Sequence, residues 1–228
     1  MAQVIFNATG TWTCPAGITT VLVECWAGGA PGQDLGGFSG GIGGGAGAYA
    51  AKVLTVVPTT QYAITVSAVT LNGGGSGGDS SFETDVVAKG GNEDGSGGTA
   101  ADSTGDVKFS GGDGGVVSGA FQGGAGGGGS ASSNANGGNG QASDAGRAGG
   151  ISGGGIGGSG GASTGINGTA GTTPGGGGGG GGGLGGDGGS GAAGLVVITY
   201  AITNVLPGTG ALGSLIGTSS YMKGSLIG

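Results

Sequence analysis

Between Phe109 and Leu195 the chain has almost no side chain that could form an apolar core. A clear strand sequence nevertheless follows at residues 195–200, where Leu, Val, Val, Ile, Thr and Tyr succeed one another. Because connections in small domains favour simple pairing, this strand is expected to return to an N-terminal sheet. The sequence therefore predicts that the glycine-rich stretch is an insertion into a folded domain.

Alternation of apolar and polar residues predicts further strands in the N-terminal half. In the segment at residues 18–26, Val21, Val23 and Cys25 share one face. The turn residues Pro58-Thr59-Thr60 predict a hairpin that joins the two strands on either side of them. No segment shows sustained helical periodicity. The strand candidates are residues 11–14, 18–26, 48–57, 61–67, 80–88, 106–109 and 195–201.

These strands predict an all-β fold, a small antiparallel β-sandwich with glycine-rich insertions. We expect the sandwich strands in residues 1–110 and a closing strand in residues 195–203. A glycine-rich loop at 27–47 and the main glycine-rich region at 111–194 would leave from its connections. Residues 204–228 then lie beyond the sandwich.

Glycine accounts for 72 of 228 residues. Three conformations are typical of such glycine-rich insertions: disorder, a collagen helix and polyglycine II. Disorder is not favoured, because only 7% of residues are charged and the apolar residues gather in strand-like runs. Collagen needs Gly at every third position and abundant Pro, and the chain has 5 Pro. Polyglycine II rods can pack laterally through outward N–H and C=O groups. We expect polyglycine II rods, with residues 175–183 at their centre.

The composition argues against catalysis and against nucleic-acid binding. The chain has no His, which removes the usual general base and metal ligand, and its net charge of −7 is the wrong sign for binding phosphates. We expect no enzyme activity and no cofactor. No export signal or membrane-spanning stretch is evident, so Cys14 and Cys25 are expected to be small buried hydrophobes, although pairing between them stays open.

Several short motifs match by coincidence. Residues 74–79 and 182–187 fit the start of a calcium-binding nonapeptide, but each copy is solitary. The acidic residues near Asn92 and Asp102 are expected to form an exposed loop rather than a cation site. The LPGTG pattern at residues 206–210 lacks the apolar span and basic end of a sorting signal.

The chain resembles the glycine-rich domain of bacteriophage tail-fibre, adhesin and other virion surface proteins. The resemblance rests on the sequence of residues 11–29, on Gly45-Ala46-Gly47-Ala48-Tyr49-Ala50-Ala51-Lys52, on Tyr62-Ala63-Ile64-Thr65-Val66, on Ser80-Ser81-Phe82 and on residues 194–200. It covers roughly residues 3–200, and it departs from the family's pattern at residues 67–72. It implies a β-sandwich with polyglycine II rods and a role in virions, often as a host-receptor binder.

The expected function is that of a virion surface protein, a tail-fibre or adhesin subunit or a head-fibre decoration, assembled in the host cytoplasm. The alternatives are a purely structural minor virion protein and an ice-binding polyglycine II protein. Large side chains in the turns between rods are the receptor-contact candidates: Phe38, Phe121, Gln122, Asn134 and Asn136. Phe109 and Phe121 are alternatively expected to cap the junction between sandwich and rods.

The C-terminal segment is expected to dock onto other virion proteins or onto a second copy in a homo-oligomer or larger assembly. The sequence Gly-Ser-Leu-Ile-Gly occurs twice there, and such apolar cassettes have little reason to remain in water. The alternative is that the segment folds back on its own sandwich. The docking candidates are Leu212, Leu215, Ile216, Tyr221, Met222, Leu226 and Ile227.

Overall fold

The computed structural model describes residues 1–34, 36–37, 39–117, 123–142 and 154–202. These residues contain nine β-strands and no helix. The strands are β1 Ala2–Phe6, β2 Gly10–Thr13, β3 Thr20–Trp26, β4 Tyr49–Thr55, β5 Gln61–Thr65, β6 Ser80–Phe82, β7 Val86–Ala88, β8 Val107–Phe109 and β9 Leu195–Tyr200.

The strands form two antiparallel sheets. The five-stranded sheet has the order β1-β9-β3-β4-β8, and the four-stranded sheet has the order β2-β5-β6-β7. β9 lies between β1 and β3, with Ile198 opposite Val4 on one side and Val23 on the other. The prediction that the last strand returns to the N-terminal sheet is therefore confirmed.

The apolar core lies between the two sheets. Val21, Val23 and Cys25 of β3 are at most 1% exposed, which confirms the face predicted for them. They pack with buried side chains of both sheets, including Ile64 and Phe82. Burial of each such side chain contributes about 1.5–3 kcal/mol, so the sandwich holds a conventional core despite the glycine content.

The predicted hairpin between residues 48–57 and 61–67 is wrong. β4 pairs with β3 and β8, whereas β5 pairs with β2 and β6 in the other sheet. Pro58-Thr59-Thr60 does reverse the chain, and Thr59 has a φ of 63°, but the turn crosses between the sheets. β4 and β5 lie in opposite sheets, so the apolar face of each, with Leu54 on one and Ile64 on the other, is covered within the common core.

The strands differ from the prediction in two further ways: one candidate is divided in two, and one strand is not among the candidates. The candidate at residues 80–88 is divided into β6 and β7 by a turn in which the Asp85 amide donates to the Phe82 carbonyl. Glu83 in this turn has a φ of 47°. β1 was not predicted, because its alternation is masked by Ile5, an apolar residue on the outer face.

The glycine-rich segments are joined to one another by backbone hydrogen bonds that recur at every third residue. Gly41, Gly44 and Gly47, for example, donate to the carbonyls of Gly181, Gly178 and Gly175, so these two segments run antiparallel. Residues 175–182 are hydrogen-bonded to six other segments: residues 30–33, 41–47, 125–128, 158–161, 166–172 and 189–193. The longest glycine run thus has neighbours on all sides.

A small second apolar cluster connects the sandwich to the glycine segments. Tyr49 and Ala51 of β4 pack with Ala131, and Trp26 and Phe109 lie against them. Phe109 therefore lies at the junction, as expected. Because Ala131 belongs to a glycine segment, this cluster fixes one end of that segment against the five-stranded sheet.

Candidate binding surface

The glycine segments have one end beside the sandwich and one end far from it. Gly47, next to β4, bonds to Gly175, and the pairing continues along both segments to Gly41 and Gly181. The turns that follow residues 33 and 181 therefore lie at the end away from the sandwich. We call this end the distal end.

The distal end holds turns that contact each other through their backbones. The Leu184 amide donates to the Gly37 carbonyl at 2.6 Å, and the Gly182 amide donates to the Ile166 carbonyl at 2.8 Å. Leu184 has a φ of 60°, a conformation that L-residues rarely adopt. The turns at residues 36–37, 165–166 and 183–185 thus form one continuous surface.

Three apolar side chains are exposed at this end. Val116 is 61% exposed, Leu184 is 51% exposed and Ile166 is 50% exposed. The Gly115 amide, next to Val116, donates to the Gly126 carbonyl, and Gly43 donates to Gly115. Val116 therefore also lies toward the distal end, because residue 43 is near the start of the segment that leads back to β4.

The backbone below this surface is locked because the glycines leave no room for a side chain. A Cβ on Gly179 would overlap the Ser159 carbonyl oxygen and lie 2.8 Å from the Gly160 nitrogen. Equivalent overlaps with neighbouring backbone occur at Gly127, Gly177 and Gly180. Lateral approach of the segments therefore depends on glycine at these positions, and the distal turns rest on a rigid base.

At the edges of the glycine region, side-chain oxygens accept the backbone hydrogen bonds that a further segment would otherwise accept. Asn136 Oδ1 accepts from the Ser110 amide at 2.9 Å, and Asn139 Oδ1 accepts from the Asp113 amide at 3.0 Å. The Thr169 Oγ1 accepts from the Ser159 amide at 2.7 Å. The three-residue spacing of both the Asn and their donors shows that these side chains follow the same repeat as the backbone bonds.

The structure separates the sequence-based contact candidates. Asn136 bonds to Ser110, which directly follows β8, and Asn134 accepts from Ser132 in the turn after Ala131. Both Asn therefore lie at the sandwich end of the glycine segments rather than at the distal end. Phe38, Phe121 and Gln122 lie outside the described residues, as do the whole docking segment at 204–228 and the LPGTG pattern.

Sequence patterns do not predict the distal residues. Ile166 and Leu184 are single apolar residues flanked by glycine, and they belong to no periodic pattern. The signal that could have found them is the isolated large side chain at a turn between two glycine runs.

The carboxylates in the coincidental motifs serve local structure. Asp79 forms an ion pair with Lys89 at 2.7 Å and accepts from the Gly90 amide. Hydrogen bonds from the Ser96 hydroxyl and amide lower the pKa of Asp94, which is exposed. Among the described residues, no three of Cys, Asp and Glu lie close enough together to hold a metal ion.

The two thiols are buried and unpaired with each other. Cys14 and Cys25 are free, and burial raises the pKa of both, that of Cys25 to about 12. Both therefore act as small apolar side chains, as expected. In the part of the chain that the structure describes, no helix is long and apolar enough to cross a membrane.

Together these features define a class: an all-β protein with two antiparallel sheets, whose connections are expanded into laterally bonded glycine segments that expose apolar side chains at one end. The chain belongs to the glycine-rich domain family, whose model matches residues 5–201. No curated protein matches the sequence significantly.

Proposed function

We propose that the protein is a bacteriophage virion surface component, a tail-fibre or adhesin subunit or a head-fibre decoration, that binds a host surface receptor. The observation that carries the proposal is the exposure of Val116, Ile166 and Leu184 at the distal end of a laterally bonded glycine region. The family membership and the resemblance of residues 3–200 to virion surface proteins support the same assignment.

The proposal includes a polyglycine II conformation for the glycine segments. This helix has three residues per turn, so its N–H groups point in three directions and each direction recurs at every third residue. The hydrogen bonds of residues 175–182 follow this repeat and reach six neighbours. Side chains would disrupt such packing, which accounts for the overlaps that a Cβ would make at Gly177, Gly179 and Gly180.

Rigidity of the glycine region favours binding at its distal end. A turn that is already fixed loses little conformational entropy when a ligand binds, so more of the contact energy contributes to affinity. Exposed apolar side chains such as Leu184 and Ile166 gain free energy when a receptor removes them from water. Phe38, Phe121 and Gln122 remain proposed contacts, whereas Asn136 is assigned to the support of the Ser110 backbone.

Attachment to the particle is assigned to residues 204–228. Their repeated Gly-Ser-Leu-Ile-Gly cassettes suit an apolar contact with other virion proteins or with a second copy of the chain. The protein would accordingly be located in the virion, after assembly in the host cytoplasm.

A binding assay with bacterial cells tests the proposed function. The purified chain is compared with a distal variant, Ile166→Ser with Leu184→Gly, against a panel of bacterial strains. The variant should bind at least tenfold more weakly, a loss of about 1.4 kcal/mol. The matched control is Val69→Ser with Leu71→Ser, because these side chains are 52% and 66% exposed but lie near Gly191, away from the distal turns.

Equal weakening by both variants would contradict a receptor surface at the distal end. Binding to no strain, together with stable retention on phage particles, would instead favour the purely structural alternative. An ice-binding role would require a flat array of Thr or Ala that faces water. In one outer segment the Thr169 and Thr172 hydroxyls instead accept hydrogen bonds from the Ser159 and Ile156 amides, and Ile166 interrupts the row. A thermal-hysteresis measurement distinguishes that alternative.

A further inference from the structure

The outer face of the five-stranded sheet is apolar along most of its width. Its side chains alternate with the core residues, so Ile5 of β1, Leu22 of β3, Val53 of β4 and Val107 of β8 all point away from the core. Val53 lies directly opposite Leu22, and Val107 lies opposite Ala51. These four side chains define what we call the outer patch.

Part of this face is covered and part is open. At the glycine end, Ala131 packs on Tyr49 and Trp26, and Tyr49 is only 3% exposed. At the other end, the outer patch is in contact with water, with Val53 60%, Ile5 54%, Val107 46% and Leu22 36% exposed. A group of exposed apolar side chains in this position, with Thr199 beside Leu22, is typical of an interaction site.

The chain leaves the sandwich beside the outer patch. Thr199 of β9 lies opposite Leu22, and β9 ends one residue later at Tyr200. Ile202 follows and is 60% exposed. Pro207-Gly208 then provides a turn signal, five residues after Ile202, that can direct the chain back along the sheet.

The segment that follows matches the outer patch in composition and charge. Residues 204–228 carry Leu and Ile in both cassettes, and Lys223 is their one charged residue. On the outer face of the five strands, the one charged side chain is Glu24, which accepts a hydrogen bond from the Tyr49 hydroxyl at 2.9 Å. An apolar segment with one positive charge therefore complements an apolar face with one negative charge.

We infer that the outer patch is the docking surface for residues 204–228. In the isolated chain the segment of the same molecule occupies it, because a short tether produces an effective concentration of the order of millimolar. In an assembly, the same segment of a neighbouring copy can make the same contacts. This packing depends on the sheet and the segment alone, so it stands independently of the proposed role in virions.

Paramagnetic relaxation enhancement in methyl NMR spectra tests the docking. A nitroxide is attached to the variant Ser220→Cys in the full chain, which leaves Lys223 in place; Cys14 and Cys25 are buried, so labelling is selective. The methyl signals of Ile5, Leu22 and Val53 should lose at least half of their intensity. The exposed residues Val69 and Leu71, which lie outside the five-stranded sheet, should keep theirs.

A mixed sample distinguishes the two sources of the segment. Chains that carry the nitroxide but no isotope label are mixed with isotope-labelled chains that lack the nitroxide. Broadening of the patch signals in this mixture assigns the segment to a neighbouring copy. Broadening only in the sample whose chains carry both labels assigns it to the same molecule. The second result supports docking within the isolated chain, and the first would overturn it in favour of docking between copies. Undiminished patch signals in both samples, or equal broadening at Val69 and Leu71, would overturn it.

A substitution on the sheet provides an independent check. Leu22→Asp with Val53→Asp places charge on two exposed side chains, so the fold is retained while the docking surface is lost. This variant should abolish the broadening of Ile5 and Val107, whereas Leu71→Asp should leave it unchanged. Broadening that persists in the Leu22 and Val53 variant would mean that the segment docks elsewhere.

Discussion

Replacement of Gly179 by Ala is the sharpest test of the lateral packing. The new Cβ would overlap the Ser159 carbonyl and lie 2.8 Å from the Gly160 nitrogen, both of them backbone atoms. Ordinary contact requires about 3.5–4.0 Å, so the overlapped Ser159 carbonyl, and residues 158–161 with it, must move outward by about 1.5 Å or more. That movement weakens the bonds from Gly158 to Gly177 and from Gly161 to Gly180, now 2.8 and 2.9 Å long.

The cost follows from these two effects. Each lost backbone hydrogen bond costs about 0.5–1.5 kcal/mol, and overpacking costs about 1–3 kcal/mol. Gly179→Ala should therefore reduce the free energy of unfolding by about 2–6 kcal/mol, a large part of the stability of a typical domain. Urea denaturation followed by the fluorescence of Trp12 and Trp26 measures it, with hydrogen exchange of residues 158–161 as a local readout.

Gly10→Ala is the matched control. Gly10 lies in β2, and its Cβ would meet the Phe6 ring at 3.9 Å, an ordinary contact. Ala in a strand is also less costly in conformational entropy than Gly, so the control should be neutral or stabilising by up to about 1 kcal/mol. If Gly179→Ala destabilised the protein no more than Gly10→Ala, lateral backbone packing would not be what makes the glycine region rigid.

Two further predictions concern the edge of the glycine region and the buried thiols. Asn139→Ala removes the acceptor of the Asp113 amide, so it should lower the free energy of unfolding by about 1 kcal/mol and speed amide exchange at Asp113. Asn134→Ala is the control and should leave that exchange unchanged, because Asn134 bonds to Ser132. Because the pKa of Cys25 is raised to about 12 from 9.0, its thiolate fraction at pH 8 is roughly a thousandfold lower than that of an ordinary thiol. Alkylation of Cys25 in the folded protein should be slower by at least that factor and should reach the ordinary rate in urea; comparably fast labelling in both states would show that the thiol is not buried.

Local sequence patterns predicted the strands well, but not their pairing. Val21, Val23 and Cys25 alternate strictly, so the inward face of β3 could be assigned from sequence. Pro58-Thr59-Thr60 likewise indicates a reversal of the chain. A turn signal does not specify which sheet receives the next strand, because that choice depends on the mutual coverage of two apolar faces formed by distant segments.

The candidate binding surface follows less directly from the sequence than the fold does. The long glycine run could be placed at the centre of its region because nothing but glycine suits a segment surrounded on all sides. The exposure of Leu184 depends on the register between Gly41 and Gly181, which no local signal specifies. The residue type of Asn136 predicts a contact, but whether an amide side chain faces water or a neighbouring backbone is decided by the packing of the next segment.

The position of β9 also has consequences during translation. β1 and β3 are neighbours of β9 and not of each other, so the five-stranded sheet stays divided until residue 200 has left the ribosome. At about 5–20 residues per second, synthesis of the intervening residues takes on the order of ten seconds or more. The nascent chain therefore holds two unjoined sheet edges for that time, and the maturation of the whole domain is timed by its last strand.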